Sequence, residues 1–208
     1  MSHIVLLGDS IFDNAAYVGN GPDVIRQLRA VLPKGWRATL NAVDGATTRD
    51  IGEQLSRLPA DASHLVVSIG GNDALLEAGV LEERAGSVGA VLDRLGAVRD
   101  RFEHNYRSML SNVRSRVLPT AVCTIYDARF PEPDLRKRAS VALTMINDCI
   151  TREVFSHAIT LIDLRLICDR DEDFANPIEP SVAGGAKIAG AITRFVAGSS
   201  SQSTVIAR

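Results

Sequence analysis

Three residues that could take part in nucleophilic chemistry each follow a predicted strand, near the point where it ends. Ser10 closes the run Gly8-Asp9-Ser10, Gly45 lies in the second such loop, and Asn72 lies in the third. Singly, each loop could equally be a turn or a helix cap. Together they offer a hydroxyl nucleophile and two donors for an oxyanion at one edge of a sheet. This combination predicts acyl transfer.

The elements that must position these residues alternate between strand and helix. Strands are predicted at Ile4–Leu7, Arg37–Val43, Leu65–Ile69, Pro119–Tyr126 and Ala158–Leu164. Helices are predicted at Pro22–Leu32, Thr47–Leu58, Ala74–Leu95, Arg101–Val117, Asp134–Phe155 and Ala183–Val196, with a break near Gly86 or Gly96. Strands separated by helices favour right-handed crossovers, so we expect an α/β fold with a five-stranded parallel sheet covered by helices on both faces.

Composition narrows the class of protein. The chain has 208 residues, 23 basic against 25 acidic, which predicts one domain over residues 1–197 with a flexible tail at 198–208 and disfavours nucleic acid as a partner. No signal-peptide pattern or membrane-spanning run is recognisable, so a cytoplasmic location is expected. The cysteines Cys123, Cys149 and Cys168 are predicted to be buried thiols. No metal or cofactor is indicated, and monomer and homodimer both stay open.

The three loops resemble motifs of the SGNH or GDSL-type esterases and lipases. Gly8-Asp9-Ser10 matches the first family block, although Ile11 replaces the usual leucine, and Gly70-Gly71-Asn72-Asp73 matches the third block in full. Gly45 matches the glycine of the second block. The resemblance implies a three-layer flavodoxin-like fold and ester hydrolysis through an acyl-enzyme on Ser10. It also implies that the N–H groups of Ser10 and Gly45 and the side chain of Asn72 hold the oxyanion.

The fourth block departs from the family pattern. Members carry an aspartate, two further residues and a histidine followed by proline, whereas this chain reads Asn176-Pro177-Ile178-Glu179-Pro180. Asn176 therefore stands at the aspartate position and Glu179 at the histidine position. Both changes fit together, because a triad aspartate serves to orient an imidazole. Glu179 could act as the base if burial raised its pKa, or it could be a carboxylate favoured by the dipole of the following helix.

Other residues are candidates to replace the missing base. His3, His64 and His157 precede strands and are expected at the wrong edge of the sheet, while His104 would need its helix to reach over the crevice. Asp173 could be a displaced acid. Further along, Asp127, Arg129 and Arg136 could line the crevice, with Arg129 meeting an anionic substrate, or form solvated loop pairs. Asp73 could brace Asn72 or cap its helix, and the region Ala74–Val117 could act as a lid.

Two functional hypotheses from different classes follow. The first is a serine hydrolase that cleaves esters of small or medium acyl groups through Ser10, with Glu179 or a water replacing the histidine. The second is a catalytically silent protein that binds a small acyl or sugar ligand in the same crevice, because histidine and aspartate are lost together. Phosphodiesterase or nucleotide chemistry is less favoured, since the sequence has no Walker loop and no evident cluster of metal ligands.

Overall fold

The sheet has the predicted parallel, five-stranded arrangement. A computed structural model describes residues 2–198. The strands are β1 (Ser2–Gly8), β2 (Trp36–Leu40), β3 (His64–Ser68), β4 (Thr120–Cys123) and β5 (Thr160–Ile162). They are ordered β2-β1-β3-β4-β5, and every neighbouring pair is parallel. Apart from Gly198, the tail predicted at residues 198–208 lies outside the described residues.

Helices connect the strands. They are α1 (Val24–Val31), α2 (Ile51–Ser56), α3 (Gly71–Leu76), α4 (Val88–Arg114), α5 (Pro133–Ser156), α6 (Leu164–Ile167) and α7 (Val182–Val196). Two 3₁₀ turns lie at Ala78–Glu82 and Asp171–Asp173. In the described part of the chain, no helix is both long and apolar enough to cross a membrane.

Two hydrophobic cores lie on opposite faces of the sheet. Ile4 and Leu6 of β1 pack into one core with α1 and α7, and Val5 and Leu7 pack into the other with α2, α4 and α5. This division follows from the alternation of side chains along a strand, and it explains why four consecutive residues of β1 are apolar. The result is the three-layer arrangement that the sequence predicts.

The region after β3 corrects the predicted helix boundaries. The break lies before α4, whose first turn is capped by the Ser87 hydroxyl accepting from the N–H of Ala90 at 3.1 Å. The helix then runs unbroken through Gly96, the other predicted position of the break. A glycine costs a helix only about 1 kcal/mol, and burial of Val98, Phe102 and other residues on the same face outweighs that cost.

The strand order places the candidate residues at a topological switch point. Connections from β1 and β3 leave in opposite directions along the sheet, so the loops after these two strands diverge and leave a crevice between them. The loop with Ser10 follows β1, and the loop with Asn72 follows β3. Ligands bind at such crevices in open α/β sheets.

Candidate active site

Ser10 and Glu179 form a buried hydrogen-bonded pair. The hydroxyl of Ser10 donates to Oε1 of Glu179 at 2.9 Å. Only 6 % of Ser10 and 5 % of Glu179 is exposed to solvent, and both residues line the same cavity. The sequence places these residues 169 positions apart, and the fold brings them together.

A strained turn after β1 presents Ser10. Gly8 has φ of +136°, and a Cβ at this position would lie 1.8 Å from the carbonyl oxygen of Ser68 on the neighbouring strand. Only glycine can occupy such a position. Within the turn, Oδ1 of Asp9 accepts from the N–H of Ile11 at 3.1 Å, so Asp9 supports the loop that carries the nucleophile candidate.

Gln54 of α2 holds this turn through two hydrogen bonds that the sequence does not indicate. Its side-chain oxygen accepts from the N–H of Gly8 at 2.7 Å, and its Nε2 donates to the carbonyl of Gly8 at 2.8 Å. The buried N–H and carbonyl groups of Gly8 therefore both have hydrogen-bond partners. A glutamine on a short helix such as α2 carries no sequence signal for this role.

Each of the three predicted oxyanion donors keeps at least one N–H bond without a protein acceptor among the described residues. Within residues 2–198, the backbone N–H groups of Ser10 and Gly45 donate to no protein acceptor. Gly45 has φ of +79°, a left-handed conformation that glycine adopts freely. The amide of Asn72 donates to the carbonyl of Ala46 at 2.9 Å, which uses one of its two N–H bonds. Asn72 lines the cavity beside Ser10.

Asp73 ties two of these loops together, which differs from both predicted roles. Its carboxylate accepts from the N–H of Thr48 at 3.0 Å and from the hydroxyl of Thr48 at 2.6 Å. Helix α3 is instead preceded by Gly70, with no side-chain cap. Asp73 therefore fixes the loop after β2 against the loop after β3, and so fixes Gly45 relative to Asn72.

Asn176 positions Glu179 through the backbone. Its side-chain oxygen accepts from the N–H groups of Ile178 and Glu179, both at 2.9 Å. The carbonyl of Glu179 accepts from the N–H of Ala175 at 2.8 Å, which closes the turn. The asparagine at the aspartate position thus shapes the loop that carries the carboxylate. The side chain of Asn176 forms no hydrogen bond with the side chain of Glu179.

Two further residues hold this loop and were not singled out in the sequence. The Tyr126 hydroxyl donates to the carbonyl of Ile178 at 2.7 Å. The amide of Asn14 donates to the carbonyl of Pro180 at 3.0 Å, while its oxygen accepts from the N–H of Val24 at 2.9 Å. Their partners are backbone groups distant in sequence, so no local pattern indicates them.

No histidine replaces the missing base. His3 and His64 lie in β1 and β3, and His157 ends α5, all at the opposite edge of the sheet as predicted. His104 is exposed on α4. None of the four, all within the described residues, lines the cavity beside Ser10.

Two other charged candidates, Asp173 and Arg129, make structural contacts close to the loop that carries Glu179. The buried carboxylate of Asp173 accepts from Nζ of Lys187 at 2.7 Å and from the N–H of Arg170 at 3.0 Å, so it is not a displaced acid beside Glu179. The guanidinium of Arg129 donates to the carbonyl of Asp169 at 2.6 Å and lies over the ring of Phe174. Arg129 is thus occupied in the scaffold, against the suggestion that it meets an anionic substrate.

The remaining predicted side chains also form structural pairs. The carboxylate of Asp127 accepts from the hydroxyl of Ser140 at 2.9 Å, and Arg136 pairs with Asp171 at 2.8 Å. All three cysteines are buried and free, as predicted. Among the described residues, no three His, Cys, Asp or Glu side chains are grouped so that they could hold a metal ion.

Burial gives two carboxyl groups in the site unusual proton affinities. Desolvation raises the pKa of Glu179 to about 7, although the hydrogen bond from Ser10 opposes this, and the charge of Asp44 adds to it. Desolvation raises the pKa of Asp9 to about 8, and the charges of Glu179 and Asp73 contribute. The Oε2 atom of Glu179 is buried without a hydrogen-bond partner, which further disfavours its ionised form.

The folded protein should therefore lose stability as pH rises from 5 to 8. Both carboxyls keep a proton in the folded state at pH values where the unfolded chain has released it, so the unfolding free energy falls with pH. Asp9→Asn keeps the acceptor for Ile11 but has no proton to lose. The unfolding free energy of this variant minus that of wild type should therefore increase by about 2 kcal/mol or more between pH 5 and pH 8. Urea unfolding of both proteins at pH 5, 6.5 and 8 measures this difference, and a difference that stays constant with pH would contradict the prediction.

Comparison with known proteins places the chain in a family. The sequence profile of the GDSL-like Lipase/Acylhydrolase family matches residues 6–187, whereas no curated protein sequence gives a significant match. Among similar solved structures is the extracellular lipase of Streptomyces rimosus, at 16% identity and a TM-score of 0.68, covering 96% of this chain and 100% of that one.

Two others support the same fold. Phospholipase A1 of Streptomyces albidoflavus NA297 is 17% identical with a TM-score of 0.66, covering 96% of this chain and 99% of that one. The lipase Lip_vut3 from a goat rumen metagenome is 17% identical with a TM-score of 0.71, covering 94% and 97%. With the profile match over most of its length, the chain belongs to the GDSL-like lipase/acylhydrolase family, whose members hydrolyse esters.

Proposed function

We propose that the protein is a serine esterase in which Glu179 takes the place of the family histidine as general base. The observation that carries this proposal is the buried hydrogen bond of 2.9 Å from the Ser10 hydroxyl to the Glu179 carboxylate. A nucleophile and a base within hydrogen-bond distance of one another are the geometric requirement for nucleophilic catalysis.

Acylation follows from this geometry. Oγ of Ser10 attacks the ester carbonyl carbon while its proton passes to Oε1 of Glu179. The carbonyl oxygen becomes an oxyanion, which receives hydrogen bonds from the N–H groups of Ser10 and Gly45 and from the Asn72 amide. The tetrahedral intermediate then collapses, the C–O bond to the alcohol breaks, and Glu179 returns the proton to the departing oxygen.

Deacylation repeats these steps with water. Glu179, again ionised, accepts a proton from water as its oxygen attacks the acyl carbon of the Ser10 ester. Collapse of the second oxyanion breaks the bond to Oγ of Ser10, which recovers the proton from Glu179. The products are a carboxylic acid and free enzyme, so atoms and charge balance without a cofactor.

A carboxylate at its ordinary pKa is a poor base for this task. With the pKa of Glu179 raised to about 7, the group is half ionised near neutral pH and binds a proton far more readily than an exposed glutamate. General bases work best when their pKa lies near the operating pH. A carboxylate also needs no aspartate to set its tautomer, which is consistent with Asn176 acting on the loop alone.

Asn72→Ala should lower kcat about 100-fold with a smaller change in KM, because the lost amide donates to the oxyanion only as charge develops. Steady-state hydrolysis of 4-nitrophenyl hexanoate measures both constants. Asn41→Ala is a matched control, since the Asn41 amide also donates to backbone carbonyls, those of Gln54 and Arg57, and does not line the cavity. Equal losses in the two variants would assign Asn72 a purely structural role.

The decisive experiment traps the nucleophile. The purified protein is incubated with an alkyl fluorophosphonate, the adduct is located by peptide mass spectrometry, and hydrolysis of 4-nitrophenyl hexanoate is followed in parallel. We expect turnover and a single adduct on Ser10. An adduct on another residue, or turnover unaffected by full labelling of Ser10, would overturn the proposal. If the protein showed neither turnover nor labelling, the result would favour a silent protein that binds its ligand in the same crevice.

A further inference from the structure

The candidate site opens into a largely apolar cavity of about 160 Å³. Ser10, Asn72 and Glu179 form part of its wall. Most of the remaining wall is aliphatic or aromatic and comes from α3 and the following 3₁₀ turn, from α4, from the segment after β4 and from α5. Examples from these segments are Leu75, Val80, Leu95, Phe130 and Leu143.

The charge of the cavity wall restricts what can bind. Among the described residues, no lysine, arginine or histidine lines the cavity, whereas Asp9, Glu77 and Glu179 do. The Glu77 carboxylate is already held by two hydrogen bonds from Arg101, at 2.8 and 3.1 Å. An acyl group with a second carboxylate would meet no cation, and a sugar would bury hydroxyls with few partners. The wall favours an uncharged hydrocarbon chain.

The size of the cavity restricts the chain length. An apolar cavity of about 150 Å³ accommodates benzene, so this cavity has room for about six carbons. Ala139 and Ala142 lie three residues apart on α5 and both line it, as their spacing on one helix face requires. Larger side chains at these two positions would occupy the space that a ligand needs.

We propose that this cavity holds the acyl chain of the substrate and that the preferred acyl group is an uncharged hydrocarbon of about six carbons. The inference rests on the proposed function, because the chain must extend from the ester carbonyl attacked by Ser10. It adds a specificity: Ala139 and Ala142 set the upper limit of chain length by leaving space that bulkier residues would fill.

Hydrolysis of a series of 4-nitrophenyl esters tests the chain length. We expect kcat/KM for the hexanoate to exceed that for the acetate and the dodecanoate by at least about tenfold, since each methylene that fits an apolar pocket is worth about tenfold or more. Ala142→Phe should lower the hexanoate value at least about tenfold and leave the acetate value within about threefold. Val141→Phe is the control, because Val141 is 62 % exposed on the same helix.

A binding measurement separates this inference from the proposed chemistry. In Ser10→Ala, hexanamide should bind at least about tenfold more tightly than acetamide by calorimetry, and Ala142→Phe in the same background should remove the difference. Ala139→Leu serves if Ala142→Phe does not fold. Chain-length-dependent binding without wild-type turnover would support the cavity and reject the esterase mechanism. Equal binding of both amides, or rates independent of chain length, would overturn the acyl pocket.

Discussion

Ser10→Ala should reduce ester hydrolysis at least about 1,000-fold. Without Oγ no acyl-enzyme can form, and the remaining rate comes from water attacking an ester held by the oxyanion donors. The fold should be little changed, because the hydroxyl makes one hydrogen bond, to Glu179, and alanine fits the same turn. Initial rates with 4-nitrophenyl hexanoate at pH 8 measure the loss, and thermal unfolding verifies that the variant is folded.

Ser115→Ala is the matched control for this loss. Ser115 follows α4 at an exposed position, and its hydroxyl donates to the carbonyl of Asn112 at 2.7 Å, away from the cavity. This variant should keep the wild-type rate. A Ser10→Ala protein that retains more than about a tenth of the activity would reject Ser10 as nucleophile. Activity lost equally in both variants would indicate a defect of the preparation.

The fold could be predicted because its signals are local. Val5 and Leu7 belong to one core and Ile4 and Leu6 to the other, so β1 reads as a continuous apolar run in the sequence. The helices that cover the sheet have apolar residues at helical spacing. What could not be predicted is the continuity of α4, where burial of one face outweighs the low helix propensity of Gly96.

The sequence indicates the residues of the candidate site more completely than the residues that hold them in place. Ser10 and Glu179 are indicated by the family blocks, and the fold brings their side chains within 2.9 Å of one another; their catalytic roles stay a prediction. Gln54 and Asn14 were missed because each binds backbone groups that only the folded chain brings near. The contacts of Asn176 are local, because its side-chain oxygen accepts from N–H groups two and three residues further along the chain, and an asparagine before proline is a recognised turn signal.

Glu179→Gln should lower kcat/KM by about 100- to 10,000-fold, the usual contribution of general-base catalysis. Glutamine has nearly the same shape and can still accept the hydrogen bond from Ser10, but it cannot take up the serine proton. In wild type, kcat/KM should rise with pH through a midpoint near 7 and then level off, because Glu179 must be ionised to act and its pKa is raised to about 7. The variant should lack this inflection.

Asp44→Asn tests whether Glu179 is the group whose ionisation controls the rate. The negative charge of Asp44 helps raise the pKa of Glu179, so its removal should move the midpoint of the pH–rate profile to lower pH while Ser10 and Glu179 stay in place. Rate measurements from pH 4 to 9 on wild type, Asp44→Asn and Glu179→Gln test this. A midpoint that moves to higher pH in Asp44→Asn, or a Glu179→Gln variant within a few-fold of wild type, would contradict Glu179 as the base and leave it as a structural partner of Ser10.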